Sequence, residues 1–228
     1  MVDSRPPLQS PDSRPPSPPS AGADTRPPRL GVLISGRGSN LQSILDAINA
    51  SELHATVDVV ISNRADASGL DRARAAGIDT LFLDPRDYDD RAAYDRAIAD
   101  ALAARRVSLV CLAGFMRLVS APLLDAFPRR ILNIHPSLLP AFPGLDAQRQ
   151  ALEHGVQMTG ATVHLVTSEL DGGPIVVQAA VPVLADDTVD TLSARVLEQE
   201  HRIYPEAIRI VLAGHWHIDG RRFVRDSA

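Results

Sequence analysis

The sequence predicts an α/β fold: a doubly wound, mostly parallel sheet with an antiparallel C-terminal extension. Three observations point to it. From residue 29 onward, short apolar runs alternate with segments of helical periodicity, the pattern of strand–helix–strand units. Gly36 and Gly38 fall between the first apolar run and the first helical one, where such folds turn from strand to helix. After residue 155, two strand runs flank Asp171-Gly172-Gly173 with no helix between them, which suits antiparallel pairing.

Taken in order, residues 30–34 form the first strand. Leu41, Ile44, Leu45 and Ile48 then recur at helical spacing, with Ser39 as the expected N-cap. Residues 57–61 form a second strand. Ser68 opens a helix that ends at Ala76, with Gly77 as its expected cap. Residues 80–83 form a third strand, 87–105 an Ala- and Arg-rich helix, and 107–112 a buried strand. A short helix near 122–127 precedes a strand at 131–134, and another helix covers 147–154. Strands follow at 162–166 and 175–181. A long helix over 188–212 contains Pro205, expected to kink it. Residues 218–224, centred on Asp219-Gly220, read as a terminal hairpin.

Composition narrows the function. The net charge of −5 opposes a nucleic-acid binder. Cys111 is the one cysteine of the 228 residues, so no internal disulfide forms, as in a reducing, cytoplasmic setting. No apolar run approaches the roughly 20 residues of a membrane span. Residues 1–28 hold nine of the eighteen prolines and five serines, with three Asp balancing three Arg. They read as a disordered, Pro/Ser-rich tail, either a solvated extension or a ligand for a proline-binding partner. The tail has no apolar core and so is not a secretory signal; its prolines and acidic residues oppose a transit peptide.

The residues that carry chemistry cluster in two segments. Asn133 and His135 are two apart on a strand, hence on one face. A carboxamide donor beside a titratable imidazole suits acyl transfer, in which an oxyanion develops and a proton moves. Asp171, on a tight glycine turn, offers a carboxylate to orient or charge that histidine. Earlier, the loop Ser35-Gly36-Arg37-Gly38-Ser39-Asn40 presents backbone N–H groups and a helix N-terminus to an anion. The dinucleotide fingerprint fits it poorly. Its third glycine is missing, and the second strand ends Ser62-Asn63-Arg64, with no acidic residue placed for a ribose. A mononucleotide-type phosphate fits better. The glycine loop and Ala113-Gly114-Phe115-Met116-Arg117 follow strand ends, and residues 133–137 sit at the end of another, so all three are expected to open on one crevice.

These segments, with Ile61-Ser62-Asn63-Arg64-Ala65-Asp66-Ala67, residues 133–140 and Asp171-Gly172-Gly173-Pro174, resemble the phosphoribosylglycinamide formyltransferases (glycinamide ribonucleotide transformylases). These are folate-dependent formyltransferases of purine synthesis. The resemblance runs from about residue 30 to 214 and leaves out the tail. It implies a Rossmann-like formyltransferase domain over 29–228, with a phosphate-binding half at 29–128 and a catalytic, folate-binding half at 129–228. It implies transfer of a formyl group from the co-substrate 10-formyltetrahydrofolate to the amine of glycinamide ribonucleotide. No metal, nucleic acid or membrane takes part, and the enzyme is a monomer or homodimer.

Position by position, Asn133, His135 and Asp171 match the catalytic trio. Gly38, Ser39 and Asn40 match the phosphate site, and Glu200 a ribonucleotide contact. Arg91, Met116, Arg117, Leu118, Val119 and Asn133 match folate contacts. On this basis Asp171 is expected to raise the His135 pKa and keep the ring charged. His164 is expected to be a packed core residue, and His215 and His217 a weak metal candidate. One departure from the family is the lack of histidine in Pro143-Gly144-Leu145-Asp146-Ala147-Gln148-Arg149.

Three alternatives share features with this reading. A formyltetrahydrofolate deformylase has similar motifs but usually an N-terminal regulatory domain. A methionyl-tRNA formyltransferase needs a further C-terminal domain. A non-catalytic nucleotide sensor would keep the glycine loop but has no need of Asn133, His135 and Asp171.

Overall fold

The computed structural model describes residues 26–226. Most of the expected Pro/Ser-rich tail lies outside that range. Along the chain the elements are β1 (Arg29–Ile34), α1 (Ser39–Asn49), β2 (Thr56–Ser62), α2 (Ser68–Ala75), β3 (Asp79–Phe82), α3 (Arg91–Ala104), β4 (Leu109–Leu112), α4 (Ala121–Ala126), β5 (Ile131–His135), α5 (Ala147–His154), β6 (Met158–Leu165), β7 (Ile175–Pro182), α6 (Val189–Ala213), β8 (Trp216–Asp219) and β9 (Arg222–Arg225).

β1 to β7 make one sheet in the order β3-β2-β1-β4-β5-β6-β7. The pairs from β3 through β5 are parallel, and β5–β6 and β6–β7 are antiparallel. The chain leaves β1 in one direction to β2 and β3, then crosses to β4 on its other side. The carboxyl ends of β1 and β4 therefore flank the switch point at which such sheets bind ligands.

Strand alternation builds a core on each face. Leu30, Val32 and Ile34 of β1 pack with Leu41 and Ile44 of α1 and with Ile203, Tyr204 and Ala207 of α6. Leu33 faces the other way, with Ile98 and Leu102 of α3 and Leu123 of α4. Each such side chain, fully buried, contributes roughly 1.5–3 kcal/mol relative to exposure. Gly31 lies on the second face, where a Cβ would collide with Leu102 Cδ2, so α3 packs close against β1.

Local details differ from expectation. The helix expected over 87–105 is two pieces. Asp84 caps a 3₁₀ turn at Pro85–Asp87 by accepting from the Arg86 N–H, and Asp90 caps α3 by accepting from the Ala93 N–H at 2.7 Å. Pro205 lies inside α6, which runs on to Ala213 after a Thr188–Thr191 capping box. Ser39 is not the N-cap of α1. Gly38 is, at φ 70°, and no side chain caps that end.

Candidate active site

The uncapped start of α1 is the first component of the site. Gly38 adopts a left-handed conformation that L side chains rarely tolerate. A Cβ there would stand 2.7 Å from Gly69 Cα, because the start of α2 packs directly on the loop. The Gly69 N–H donates to the Gly36 carbonyl at 3.0 Å, and the Arg72 Nε–H to the Arg37 carbonyl at 3.0 Å. The free N–H groups of the first turn of α1 are thus held at a positive helix end, ready for an anion.

Glu200 of α6 reaches this loop across 160 residues of sequence, and its Oε2 accepts from Asn40 Nδ2 at 2.7 Å. Burial raises the Glu200 pKa, against the opposing effect of the Asn40 hydrogen bond. Asn40 Oδ1 is buried without a hydrogen-bond partner, an acceptor left over at the place where a ligand would lie.

The second component lies at the end of β5. β5 and β6 pair so that Asn133 stands opposite His164. Asn133 Nδ2 is 3.1 Å from His164 Nε2 and 3.5 Å from Asp171 Oδ1. His164 Nδ1 lies 3.0 Å from the Leu165 carbonyl. A carbonyl only accepts, so Nδ1 carries the proton and Nε2 accepts from Asn133. His135 is oriented by the same logic. Its Nε2 donates to the Phe142 carbonyl at 2.8 Å, and its Nδ1 faces Asp171 Oδ2 at 3.5 Å. The other support of Asp171 is the Gly144 N–H, which donates to Oδ2 at 2.8 Å. Phe142 and Asp171 both have left-handed backbones, φ 54° and 48°, as at sites where the surrounding structure enforces a conformation.

Two sequence expectations change here. His164 is buried, as expected of a core residue, but it also joins the Asn133–Asp171 network. His135 is not held charged. Burial pushes its pKa below the ordinary value and outweighs both the Phe142 hydrogen bond and the Asp171 charge. For Asp171, burial pulls the pKa upward. The close His164 ring, the Gly144 N–H and the His135 ring together leave it below the usual carboxylate range. The resting site is therefore a neutral imidazole beside a carboxylate.

The third component follows β4. Met116 and Leu118 are 66% and 49% exposed, an apolar surface at the switch point that suits an aromatic ligand. Val119 is half-buried beside them, and the Arg117 guanidinium lies over the Tyr94 ring at 5.0 Å. Arg91, the first residue of α3, is exposed. Among the described residues, no hydrogen bond or ion pair links it to the other named positions.

Two cavities border these parts. One of about 940 Å³ lies between α1 and α6, outside Ser39, and has none of the β5 residues in its wall. One of about 520 Å³ is lined by Leu139, Pro143, Asp171 and Phe223. The donors and acceptors, rather than the larger volume, mark the candidate chemical centre. Of the weak metal candidates, His217 instead pairs with Asp226 at 2.7 Å. Asp146, in the segment without histidine, is the N-cap of α5 at φ 57°.

Comparison with known proteins follows the same lines. A family model described as formyl transferase matches residues 28–208. The chain is 50% identical to the phosphoribosylglycinamide formyltransferase of Escherichia coli (strain K12) over 197 residues, 86% of this chain and 90% of that protein. It is similar to the crystal structure of glycinamide ribonucleotide transformylase 1 from Symbiobacterium toebii, with a TM-score of 0.88 and 58% identity over 91% of this chain and 100% of that one. Similarity to a formyltetrahydrofolate deformylase from Pseudomonas syringae pv. tomato is more distant. It has 25% identity and a TM-score of 0.81, covering 89% of this chain and 67% of that one.

Proposed function

The chain belongs to the formyl transferase family, and on that premise we propose that Asn133, His135 and Asp171 carry its chemistry. The reaction moves the formyl group of 10-formyltetrahydrofolate to the glycyl amine of N1-(5-phospho-D-ribosyl)glycinamide, a step of de novo purine biosynthesis. It yields the N-formyl product and tetrahydrofolate.

In the proposed mechanism the amine nitrogen attacks the formyl carbon, and the carbonyl oxygen becomes an oxyanion. Asn133 donates an N–H to that oxygen, using the hydrogen that in the resting site has only the long 3.5 Å contact to Asp171. The bond from the formyl carbon to N10 of the folate then breaks, and the ammonium proton passes to N10. Asp171, ionised and braced by the Gly144 N–H, holds the water that relays this proton. Both ring nitrogens of His135 face protein groups, so its part is electrostatic. Taking up a proton from solvent at Nδ1 as the oxyanion develops, and returning it when the intermediate collapses, it places a positive charge in the site, and the nearby carboxylate favours that form.

The anion site at Gly38, Ser39 and Asn40 takes the ribonucleotide phosphate, and Glu200 lies against the ribonucleotide. Met116, Arg117, Leu118 and Val119, with Arg91 and Asn133, face the folate. The two substrates meet between the ends of β1, β4 and β5, which divides the domain into the phosphate-binding half 29–128 and the catalytic half 129–228. We place the reaction in the cytoplasm, carried out by a monomer or homodimer. Among the described residues no helix is long and apolar enough to cross a membrane.

The observation that carries this reading is the Asn133–His164–Asp171–His135 network at the carboxyl end of β5. The test is to mix the protein with glycinamide ribonucleotide and 10-formyltetrahydrofolate and follow tetrahydrofolate. Release that depends on the ribonucleotide supports the transferase. Release without it would mean a deformylase, and no release would favour a sensor.

A further inference from the structure

The segment between β4 and α4 carries exposed apolar side chains yet is held at both ends by buried polar groups. At its start, the Ser35 N–H donates to the Gly114 carbonyl at 3.0 Å. Ser35 Oγ accepts from the Met116 N–H at 2.8 Å and donates its own proton to Asn63 Oδ1 at 2.6 Å. At its end, the N–H and the hydroxyl of Ser120 both donate to Asp95 Oδ2, each at 2.6 Å. In between, the Arg117 guanidinium is seated on the ring of Tyr94, the neighbour of Asp95 on α3.

Packing alone does not call for these groups. Asp95 is 1% exposed within an α3 whose other buried residues are Tyr94, Ile98, Ala99 and Leu102. Burying a carboxylate is unfavourable unless strong hydrogen bonds offset it, and an alanine or leucine would fill the space without that loss. The hydroxyl of Ser120 is also diverted. Ser120 is the N-cap of α4, but its side chain makes no capping bond and turns to Asp95 instead. A residue that gives up its local role for a distant carboxylate fixes the chain entering α4 against α3.

We propose that Ser35 and Asp95 are positioning residues for the formyl-folate: they stretch residues 116–119 between two anchors and present Met116 and Leu118 in a fixed conformation. This rests on the reading of residues 116–119 as the folate surface. The anchors touch the protein backbone, not the substrate, and act by reducing the ordering that binding would otherwise require. Ser35 also follows directly on β1 and precedes Gly36, so one hydroxyl ties the folate segment to the phosphate loop.

The test is steady-state kinetics on Asp95→Asn, Ser120→Ala, Ser35→Ala, the double variant Asp95→Asn/Ser120→Ala, and Met116→Ala. Thermal unfolding is followed for each. Asp95→Asn is expected to raise KM for 10-formyltetrahydrofolate about tenfold, the usual scale for losing one charge-assisted hydrogen bond, with kcat and the ribonucleotide KM little changed. Ser120→Ala keeps its backbone N–H and is the milder probe should Asp95→Asn fold poorly. It is expected to shift the same constant in the same direction, and the double variant to fall short of the product of the singles. Ser35→Ala is expected to raise the folate KM likewise.

If folded variants keep the wild-type folate KM, or lose kcat and both KM values alike, the positioning role is wrong. Met116→Ala separates the two levels. A raised folate KM there with unchanged anchors would leave the folate surface standing and remove the anchors. An unchanged folate KM there would remove the surface itself, and the proposal with it.

Discussion

His135 Nδ1 stands 3.5 Å from Asp171 Oδ2, and a single turn holds the two groups apart. Phe142 accepts the opposite ring N–H of His135, and Gly144, two residues on, donates to Asp171. At 3.5 Å, with Nδ1 unprotonated, the two groups are neighbours rather than partners. The expected resting form is thus the neutral Nε2–H tautomer. Imidazole ¹⁵N shifts from labelled protein near pH 7 check it: a protonated Nδ1 in the unliganded enzyme would refute the assignment.

The same burial makes stability depend on pH. The His135 pKa is lower in the folded chain than the ordinary 6.5, so the unfolded chain takes up a proton first as pH falls. The neutral ring's stabilisation is complete above 6.5 and is lost as pH drops below it, by at most about 1.4 kcal/mol per pH unit for one proton. His135→Gln cannot titrate. Its stability deficit against wild type is expected to be constant above pH 7 and to shrink between pH 6.5 and 5.5. Urea unfolding at several pH values measures it, and a deficit that grows on acidification would reverse the sign.

The catalytic assignments predict unequal consequences for rate and fold. Asn133→Ala removes the oxyanion donor and is expected to lower kcat on the order of 10²–10³-fold. His135→Ala and Asp171→Ala are expected to fall at least as far, because each leaves the other's charge uncompensated as the proton moves. Steady-state turnover with circular dichroism to verify folding checks all three. Folded variants with wild-type turnover would remove the residues from the mechanism.

What the sequence disclosed, and what it hid, follow from the range of the forces involved. The apolar runs of β1, β2, β4 and β5 were legible because strand burial is written in local residue type. The Asn133–His135 face was legible because strand parity is local. The role of His164 was not, because its pairing with Asn133 depends on a register set 31 residues away. Nor was the charge of His135, since a proximity argument counts Asp171 but cannot count the burial that overrides it. The start of α3 was misplaced because Asp87, Asp89 and Asp90 are all competent caps, and only the fold selects Asp90.

The phosphate loop offers a test that separates the substrates. A Cβ on Gly38 would meet Gly69 Cα at 2.7 Å and would be forced into φ 70°. Gly38→Ala therefore displaces the first turn of α1 or the start of α2. The expected outcome is a KM for the ribonucleotide raised at least about tenfold, with the folate KM far less affected, and a stability loss of roughly 1 kcal/mol or more. Gly36→Ala is the control, because a Cβ there meets nothing within 4 Å. Equal effects at Gly36 and Gly38 would contradict the packing argument.

Tyr204 connects the long C-terminal helix to β4 and β5. It is fully buried, and its hydroxyl lies 3.0 Å from the Leu112 carbonyl and 3.3 Å from the Leu132 carbonyl. One proton is shared between the last residue of β4 and the second residue of β5, the neighbour of Asn133. Burial pushes the Tyr204 pKa well above its ordinary value, so the hydroxyl is a donor at neutral pH. Tyr204→Phe keeps the ring and removes only that donor. It is expected to lower stability by about 1 kcal/mol, with a further penalty if the carbonyls find no other partner. Chemical denaturation gives the stability change, and kcat reports whether the strand ends move. A stability loss with unchanged kcat would make Tyr204 a structural tie alone; a parallel fall in kcat would mean that α6 helps to align Asn133 with the folate segment.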